Sequence, residues 1–223
     1  MASRTIAIGD IHGCDAAFQA VLAAIDLRRS DTLVMLGDYI DRGPNSRGVI
    51  DRLLGLASRC HLVALMGNHE EMLLDNLEHP DEPDAWLIYG GRATLQSYGP
   101  DAGLADIPAE HVEFLRNCQN YFETDTHFFV HANYDSDTPL DAQQLYALRW
   151  VSLKHSIPGP HISGKTAVVG HTSQKSGEIL DLGHLKCIDT YCFGGRWLTA
   201  LDVESGQTWQ ASAQGELRTS SGE

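Results

Sequence analysis

Three times in its first 70 residues the chain repeats one pattern. A short apolar run ends at a glycine, a polar cluster follows, and then an amphipathic stretch begins. The runs are residues 5–8, 32–36 and 61–66, and the clusters are GDIHG (9–13), GDYIDRG (37–43) and GNHE (67–70). The amphipathic stretches start near Asp15, Asn45 and Glu70. Successive clusters lie roughly 30 residues apart, the size of a strand-plus-helix unit. Crossovers of that kind are right-handed and leave neighbouring strands parallel. The three clusters are therefore expected at the carboxyl ends of adjacent strands, on one edge of one sheet. Open α/β sheets build ligand sites on that edge.

The pattern breaks between residues 75 and 107. Residues 79–83 (HPDEP) read as a loop, Gly90-Gly91 and Gly99-Pro100 as turns, and 85–89 and 93–98 as short helices. The segment is expected as a cap-like insertion in a single domain spanning 1–223. Residues 109–120 and 143–153 read as helices. Residues 126–130 read as a strand ending at His131, and 166–169 as a strand ending in Gly170-His171-Thr172. Short strands at 185–189, 198–202 and 208–211, with glycine-bearing turns between them, predict an antiparallel meander. The polar residues 217–223 read as a flexible tail.

The bulk numbers narrow the possible partners. The chain's 223 residues can bury one substantial core. No apolar run approaches a membrane span, and Met1-Ala2-Ser3-Arg4 leads straight into the first strand without a signal-peptide pattern. A cytoplasmic protein is expected. The net charge of −14, from 16 basic and 30 acidic residues, repels polyanions. Neither nucleic acid nor an anionic membrane is an expected partner. An anionic substrate would need local positive charge. The five cysteines (14, 60, 118, 187 and 192) contain no Cys-x-x-Cys and suggest neither a disulfide framework nor a zinc knuckle.

Seven ligand-capable residues follow apolar runs: Asp10, His12, Asp38, Asn68, His69, His131 and His171. Residues two apart on an extended segment face the same way, so Asp10 and His12 can share one ion. Mixed carboxylate and imidazole donors suit manganese, iron or zinc. Two such ions would clamp an anion, lower the pKa of a bridging water and supply the charge the acidic surface lacks. Arg42, beside Asp41, offers a guanidinium suited to phosphate oxygens, and Arg149 a second.

GDIHG, GDYIDRG and GNHE, in this order and followed by a strand-end histidine and GHT, resemble the phosphoprotein phosphatase branch of the calcineurin-like metallophosphatases. The bacterial members are the nearest pattern. The strong motifs cover residues 9–70, and weaker ones reach about residue 202. The resemblance implies an α/β (α+β) fold: a β-sandwich with flanking helices, a dinuclear centre at one sheet edge and a small helical cap. It implies that Asp10 and His12 bind the first metal, that Asp38 bridges both, and that Asn68, His131 and His171 complete the second. His69 would protonate the leaving oxygen, oriented by Asp41. Arg42 and Arg149 would hold the phosphoryl group, with Asn68 and Tyr191 beside the substrate. The implied cofactors are two divalent ions, manganese first, with iron, zinc or cobalt equally compatible with the donors. The implied reaction is in-line attack by a metal-bridging hydroxide, with histidine as the acid because it titrates near neutrality.

Two departures bear on the branch. Many phosphodiesterase-like relatives end in Gly-His-x-His, whereas residues 170–173 read GHTS. The bacterial diadenosine-tetraphosphatase branch typically loses the aspartate of DRG and reads GNHD, whereas this chain keeps Asp41 and Glu70. A phosphomonoesterase acting on phosphoproteins is expected, through phospho-Ser/Thr, phospho-Tyr or both. A diadenosine tetraphosphatase or small-phosphoester hydrolase is the alternative. A non-catalytic scaffold is disfavoured, since every candidate position is intact. His155, His161 and His184 receive no role. His61, His79, His111 and His127 read as structural or solvated, and Asn133 and Tyr134 as a surface turn in preference to a lining of the substrate cleft.

Overall fold

Strict alternation of side chains along short strands decides the layers of this molecule. The structure, a computed structural model, describes residues 3–79 and 86–218. Most of the expected 79–83 loop, the start of the expected 85–89 helix and the tail beyond residue 218 lie outside the described residues.

The first sheet has the order β10-β9-β1-β2-β3. Strands β1 (Thr5–Ile8), β2 (Thr32–Met35) and β3 (His61–Ala64) run parallel, with Thr5 beside Thr32 and Thr32 beside His61. Strand β9 (Trp197–Asp202) pairs antiparallel with β1, and β10 (Thr208–Ser212) antiparallel with β9. The second sheet has the order β4-β5-β6-β8-β7. Here β5 (His127–Val130), β6 (Thr166–Val169) and β8 (Leu185–Cys187) are parallel. Strands β4 (Tyr121–Glu123) and β7 (Leu180–Asp181) are antiparallel edges.

The two sheets stack on each other. Ala7, Val34, Leu36, Val63 and Leu65 of the first meet Phe129, Val168 and Ile188 of the second. The alternate residues Ile6, Ile8, Leu33 and Met35 face outward. They are covered by Phe18, Val21 and Ile25 of α1 (Asp15–Ile25) and Val49, Ile50 and Leu53 of α2 (Ser46–Leu56). The outer face of the second sheet, with Phe128, Val130, Ala167 and Val169, is covered by Tyr134, Leu140, Leu148 and Leu153. Each such side chain, once buried, contributes about 1.5–3 kcal/mol of transfer free energy. Three more helices, α3 (Asn68–Glu78), α4 (Arg92–Tyr98) and α5 (Ala109–Arg116), line the helical side, and α6 (Leu145–Trp150) lies over the second sheet.

Several elements differ from the sequence reading. The expected meander is split: β9 and β10 form a hairpin in the first sheet, but β8 belongs to the second. Alternation shows that a strand has a buried face without saying which sheet buries it. Helix α5 stops at Arg116, four residues early, because the chain beyond it extends the first sheet. Gln119 N–H donates to Ala64 O at 2.8 Å, and Met66 N–H donates to Gln119 O at 2.8 Å. Helix α6 is only six residues long, ending where Val151 turns extended. Residues 217 and 218 are tied down: Leu217 bridges Ala211, and Arg218 pairs with Glu178.

The described part of the 75–107 segment lies on the turn that follows β2. Arg42 N–H donates to Gly90 O at 3.3 Å. Gly90 has φ +125°, and a Cβ there would stand 2.7 Å from Arg42 N, so only glycine fits. Among the described residues no helix is long and apolar enough to cross a membrane.

Candidate metal centre

Six parallel strands, three in each sheet, end on the same edge of the sandwich. Each is followed by polar residues: Asp10 and His12 after β1, Asp38 after β2, Asn68 and His69 after β3. His131 follows β5, His171 follows β6 and Asp189 follows β8. Asp38 is central. Its Oδ2 lies 3.4 Å from His12 Nε2 and 3.9 Å from His69 Nε2, and its Oδ1 lies 3.4 Å from His131 Nε2. Two clusters thus share one carboxylate: His12–Asp38–His69 and Asp38–His131–His171, with donor atoms within 4.8 Å of one another in each.

The ring nitrogens carry the decisive information. His12 Nδ1 donates to Ile40 O (2.9 Å), His131 Nδ1 to Leu36 O (2.7 Å) and His171 Nε2 to Trp150 O (3.1 Å). A neutral imidazole has one N–H, and each of these three gives it to a backbone carbonyl. The remaining nitrogens present lone pairs. Those of His131 and His171 both face the amide oxygen of Asn68, at 3.1 and 2.9 Å. With the amide oxygen turned toward both rings, three donor atoms converge as ligands to one cation would, and backbone-anchored imidazoles are the usual support of metal ligands. Burial, then the neighbouring His131, holds His171 down to about 4, which keeps it neutral.

The carboxylates give the same answer. Asp10, Asp38 and Asp189 are at most 3% exposed. Asp10 lies outside the two clusters, against the backbone N–H of His171 at 3.0 Å. Burial, then Asp189 and Asp38, pushes its acid well above the usual carboxylate range. Burial and two neighbouring carboxylates disfavour the charged form of Asp10, a penalty that a cation bound beside it would offset. The donor set of carboxylate, amide and imidazole fits a divalent first-row metal.

His69 is held differently. Its Nδ1 donates to Asp41 Oδ2 at 2.6 Å, a carboxylate rather than a carbonyl. Asp41 Oδ2 also accepts from Trp86 Nε1 (2.8 Å), and Oδ1 accepts from Thr94 Oγ1 (2.6 Å). The partner of the ring thus separates His69 from the three carbonyl-anchored histidines.

The two expected phosphate-binding arginines have different fates. Arg42 is exposed and donates from Nη1 to His12 Nε2 at 2.8 Å, with its Cζ 4.5 Å over the Phe193 ring. A cationic group therefore already sits on a lone pair expected to face metal. Arg149 is not brought to the clusters as a free ligand. Its Nη1 binds Glu71 (2.8 Å) and its Nη2 binds Asn120 (2.6 Å), and its buried Nε–H has no partner. This ion pair fastens α6 to α3, and the next residue, Trp150, supplies the carbonyl that holds His171. Tyr191 packs edge-on against Phe193 (4.9 Å), which packs against His12 (4.8 Å), so Tyr191 stands one ring away from the centre.

Backbone strain concentrates here. Among the described residues seven non-glycines have positive φ: His12, Asp38, Asp41, Arg42, His171 and Tyr191, together with Asp26 at the end of α1. Left-handed conformations of this kind are costly and cluster at functional sites.

Sequence reasoning passed over Asp189, Trp86 and Thr94, and used Glu70 only as a branch marker without a structural role. Asp189 carried a visible signal, a carboxylate at a strand end. It accepts from Ser173 Oγ (2.7 Å) and Tyr191 N–H (3.0 Å). Glu70 accepts backbone N–H bonds from Asp38 (2.8 Å), Tyr39 (2.8 Å), Ile40 (3.4 Å) and Gly67 (3.1 Å), shaping the Asp38 loop. Trp86 and Thr94 had no local signal. Asn133 and Tyr134 are buried, not on a surface turn, and bond Ser156 O and Gly159 O. His161 and His184 likewise bond Thr138 O and Pro158 O.

A model of the calcineurin-like phosphoesterase family matches residues 3–203. The chain is 31% identical over 206 residues to serine/threonine-protein phosphatase 1 of Salmonella typhimurium, covering 88% of this chain and 90% of that one. It is 46% identical over 111 residues to a symmetrical bis(5'-nucleosyl)-tetraphosphatase of Acidovorax ebreus, covering 49% of this chain and only 35% of that relative. A crystal structure of a candidate diadenosine tetraphosphatase superposes with a TM-score of 0.71 at 22% identity, over 93% of this chain and 92% of that one.

Proposed function

We propose that this chain, which belongs to the calcineurin-like phosphoesterase family, is a phosphomonoesterase of the protein-phosphatase type, removing phosphate from seryl, threonyl or tyrosyl side chains. The observation that supports this reading is the buried His69–Asp41 pair at 2.6 Å. A seryl or threonyl alkoxide is a strong base and leaves only with a proton. The nucleotide leaving group of a dinucleotide polyphosphate is a weak base and departs without one. A dedicated acid is therefore worth most to a monoesterase. The end-to-end similarity to serine/threonine-protein phosphatase 1 adds to this.

Asp10, His12 and Asp38 would hold one divalent ion, and Asp38, Asn68, His131 and His171 the other, with manganese the first candidate. When bound, the ions supply Lewis acidity and lower the pKa of water. The residues do the rest. Asp41 fixes the Nδ1 proton of His69, so the transferable proton is on Nε2, facing Asp38. Arg42, exposed on the rim, neutralises phosphoryl oxygens. Arg149 holds α6, and through it the Trp150 carbonyl that orients His171. The charge of −14 leaves this local positive charge to attract the anion.

A second reading, hydrolysis of dinucleotide tetraphosphates, is favoured by the 46% identity to the Acidovorax relative. The test measures phosphate release from phosphoseryl and phosphotyrosyl peptides, and cleavage of diadenosine tetraphosphate, with and without added manganese. Metal-dependent turnover of peptides supports the first reading. Turnover of the dinucleotide alone replaces it with the second.

A further inference from the structure

The segment that carries Trp86 and Thr94 stands outside the strand-end loops, yet it supplies more of the fixation of Asp41 than the loops do. Asp41 is fully buried, so its carboxylate must find donors in the protein. His69 and Trp86 share Oδ2, and Thr94 takes Oδ1. The Thr94 hydroxyl also accepts the backbone N–H of Asp41 at 2.9 Å, a bond shared with Ser46 Oγ at 3.0 Å. One threonine therefore fixes both the backbone and the side chain of a residue held at φ +72°. Trp86 is 1% exposed, and its ring is stacked so closely on Gly91 that a Cβ there would approach it to 2.4 Å. Behind them, Tyr98 O–H donates to His111 Nδ1 (2.9 Å), whose Nε2 donates to Asp51 (3.0 Å), pinning α4 to α5 and α2.

We infer that Trp86 and Thr94 are positioning residues for proton transfer, setting the carboxylate plane of Asp41 and through it the ring of His69. The inference rests on the proposed role of His69 as the acid. The step it serves breaks the bond between phosphorus and the leaving oxygen. The electron pair stays on that oxygen and takes the Nε2 proton, while water adds its oxygen to phosphorus, one of its protons staying on the phosphate and the other returning to His69. A carboxylate that loses either of these two donors is held on one side less and can rotate, and His69 then loses its aim without leaving the site. The expected defect is selective. It grows with the basicity of the leaving group and spares binding. A purely structural role would slow all substrates alike.

The test compares phenyl phosphate, a poor leaving group, with dinitrophenyl phosphate, a good one, in the manganese-loaded enzyme. The variants are Trp86→Phe, which removes the N–H and keeps most of the ring, Thr94→Val, Thr94→Ser and His69→Asn. Metal content and melting temperature are read for each. Trp86→Phe and Thr94→Val are expected to lower kcat for phenyl phosphate about tenfold and for dinitrophenyl phosphate less than about twofold, with KM unchanged. Thr94→Ser is expected to restore the rate. Equal losses on both esters, or loss of metal, while His69→Asn still discriminates, overturn the inference and leave His69 as the acid. If His69→Asn fails to discriminate between the esters, the acid reading falls and the inference with it.

Discussion

Four imidazoles cluster around Asp38, and what separates them is the atom behind each ring. Three lean on carbonyl oxygens and present a lone pair. The fourth leans on the Asp41 carboxylate, the contact on which its proposed role as the acid rests. Replacing His69 with asparagine is expected to leave metal content intact while lowering turnover about 10²–10⁴-fold, the usual worth of a general acid. Metal loss would instead make His69 a ligand. Replacing His131 with alanine removes a lone pair facing Asn68 and should cost bound metal, read by elemental analysis after dialysis. Glu70 acts differently, since its carboxylate gathers the backbone N–H groups of the Asp38 loop. Glu70→Gln replaces one acceptor oxygen with a donor facing N–H groups. It should lower unfolding free energy by about 1–3 kcal/mol in urea titrations. The identities of the strand-end residues were legible in the sequence. Their proposed division into ligands and acid came from the family resemblance and not from the residues alone, because its physical basis lies in partners such as Leu36 O, 95 residues from His131.

Among elements, the parallel strands and the helices between them follow from local periodicity, and the sequence places them within a few residues. It fails where one element captures another. Gln119 joins the edge beyond β3 and ends α5, and β8 enters the second sheet. A contact that was not anticipated ties the start of β1 to the start of β2. Arg4 bonds Asp31, which also accepts the Arg28 N–H at 2.8 Å. Burial pushes the Asp31 acid up, but Arg4 and Arg28 outweigh it and hold it below the ordinary value. A folded pKa below the unfolded one stabilises above the unfolded value, near about 4, and loses that contribution as pH falls through the folded value. Asp31→Asn should therefore cost about 1 kcal/mol at neutral pH, and the gap from the parent should close in acid melts below about pH 4.

At the scale of the molecule, two sheets meet so that six parallel strands deliver their carboxyl ends to one rim. The consequence is a buried concentration of carboxylates and lone pairs that the bare polypeptide tolerates poorly. Metal binding should accordingly stabilise the fold by mass action. The melting temperature should rise with manganese concentration and fall on chelation. Saturation at about 100 times the dissociation constant is worth about 2.7 kcal/mol. A melting temperature indifferent to metal would remove the two-cluster site from consideration.

Sequence by itself determined the repeating strand–cluster–helix unit, the residues carried to the strand ends, and the family to which their order belongs. Those properties are written in local periodicity and short spacing. Tertiary structure alone decided that Asp189 joins Asp10 and Asp38, that Arg149 is committed to Glu71, and that Trp86 and Thr94 brace Asp41. Each of these contacts joins residues tens of positions apart through the stacking of two sheets or the docking of a helix. No local pattern encodes such a distance, because the same alternation and the same amphipathic face can be buried against many partners.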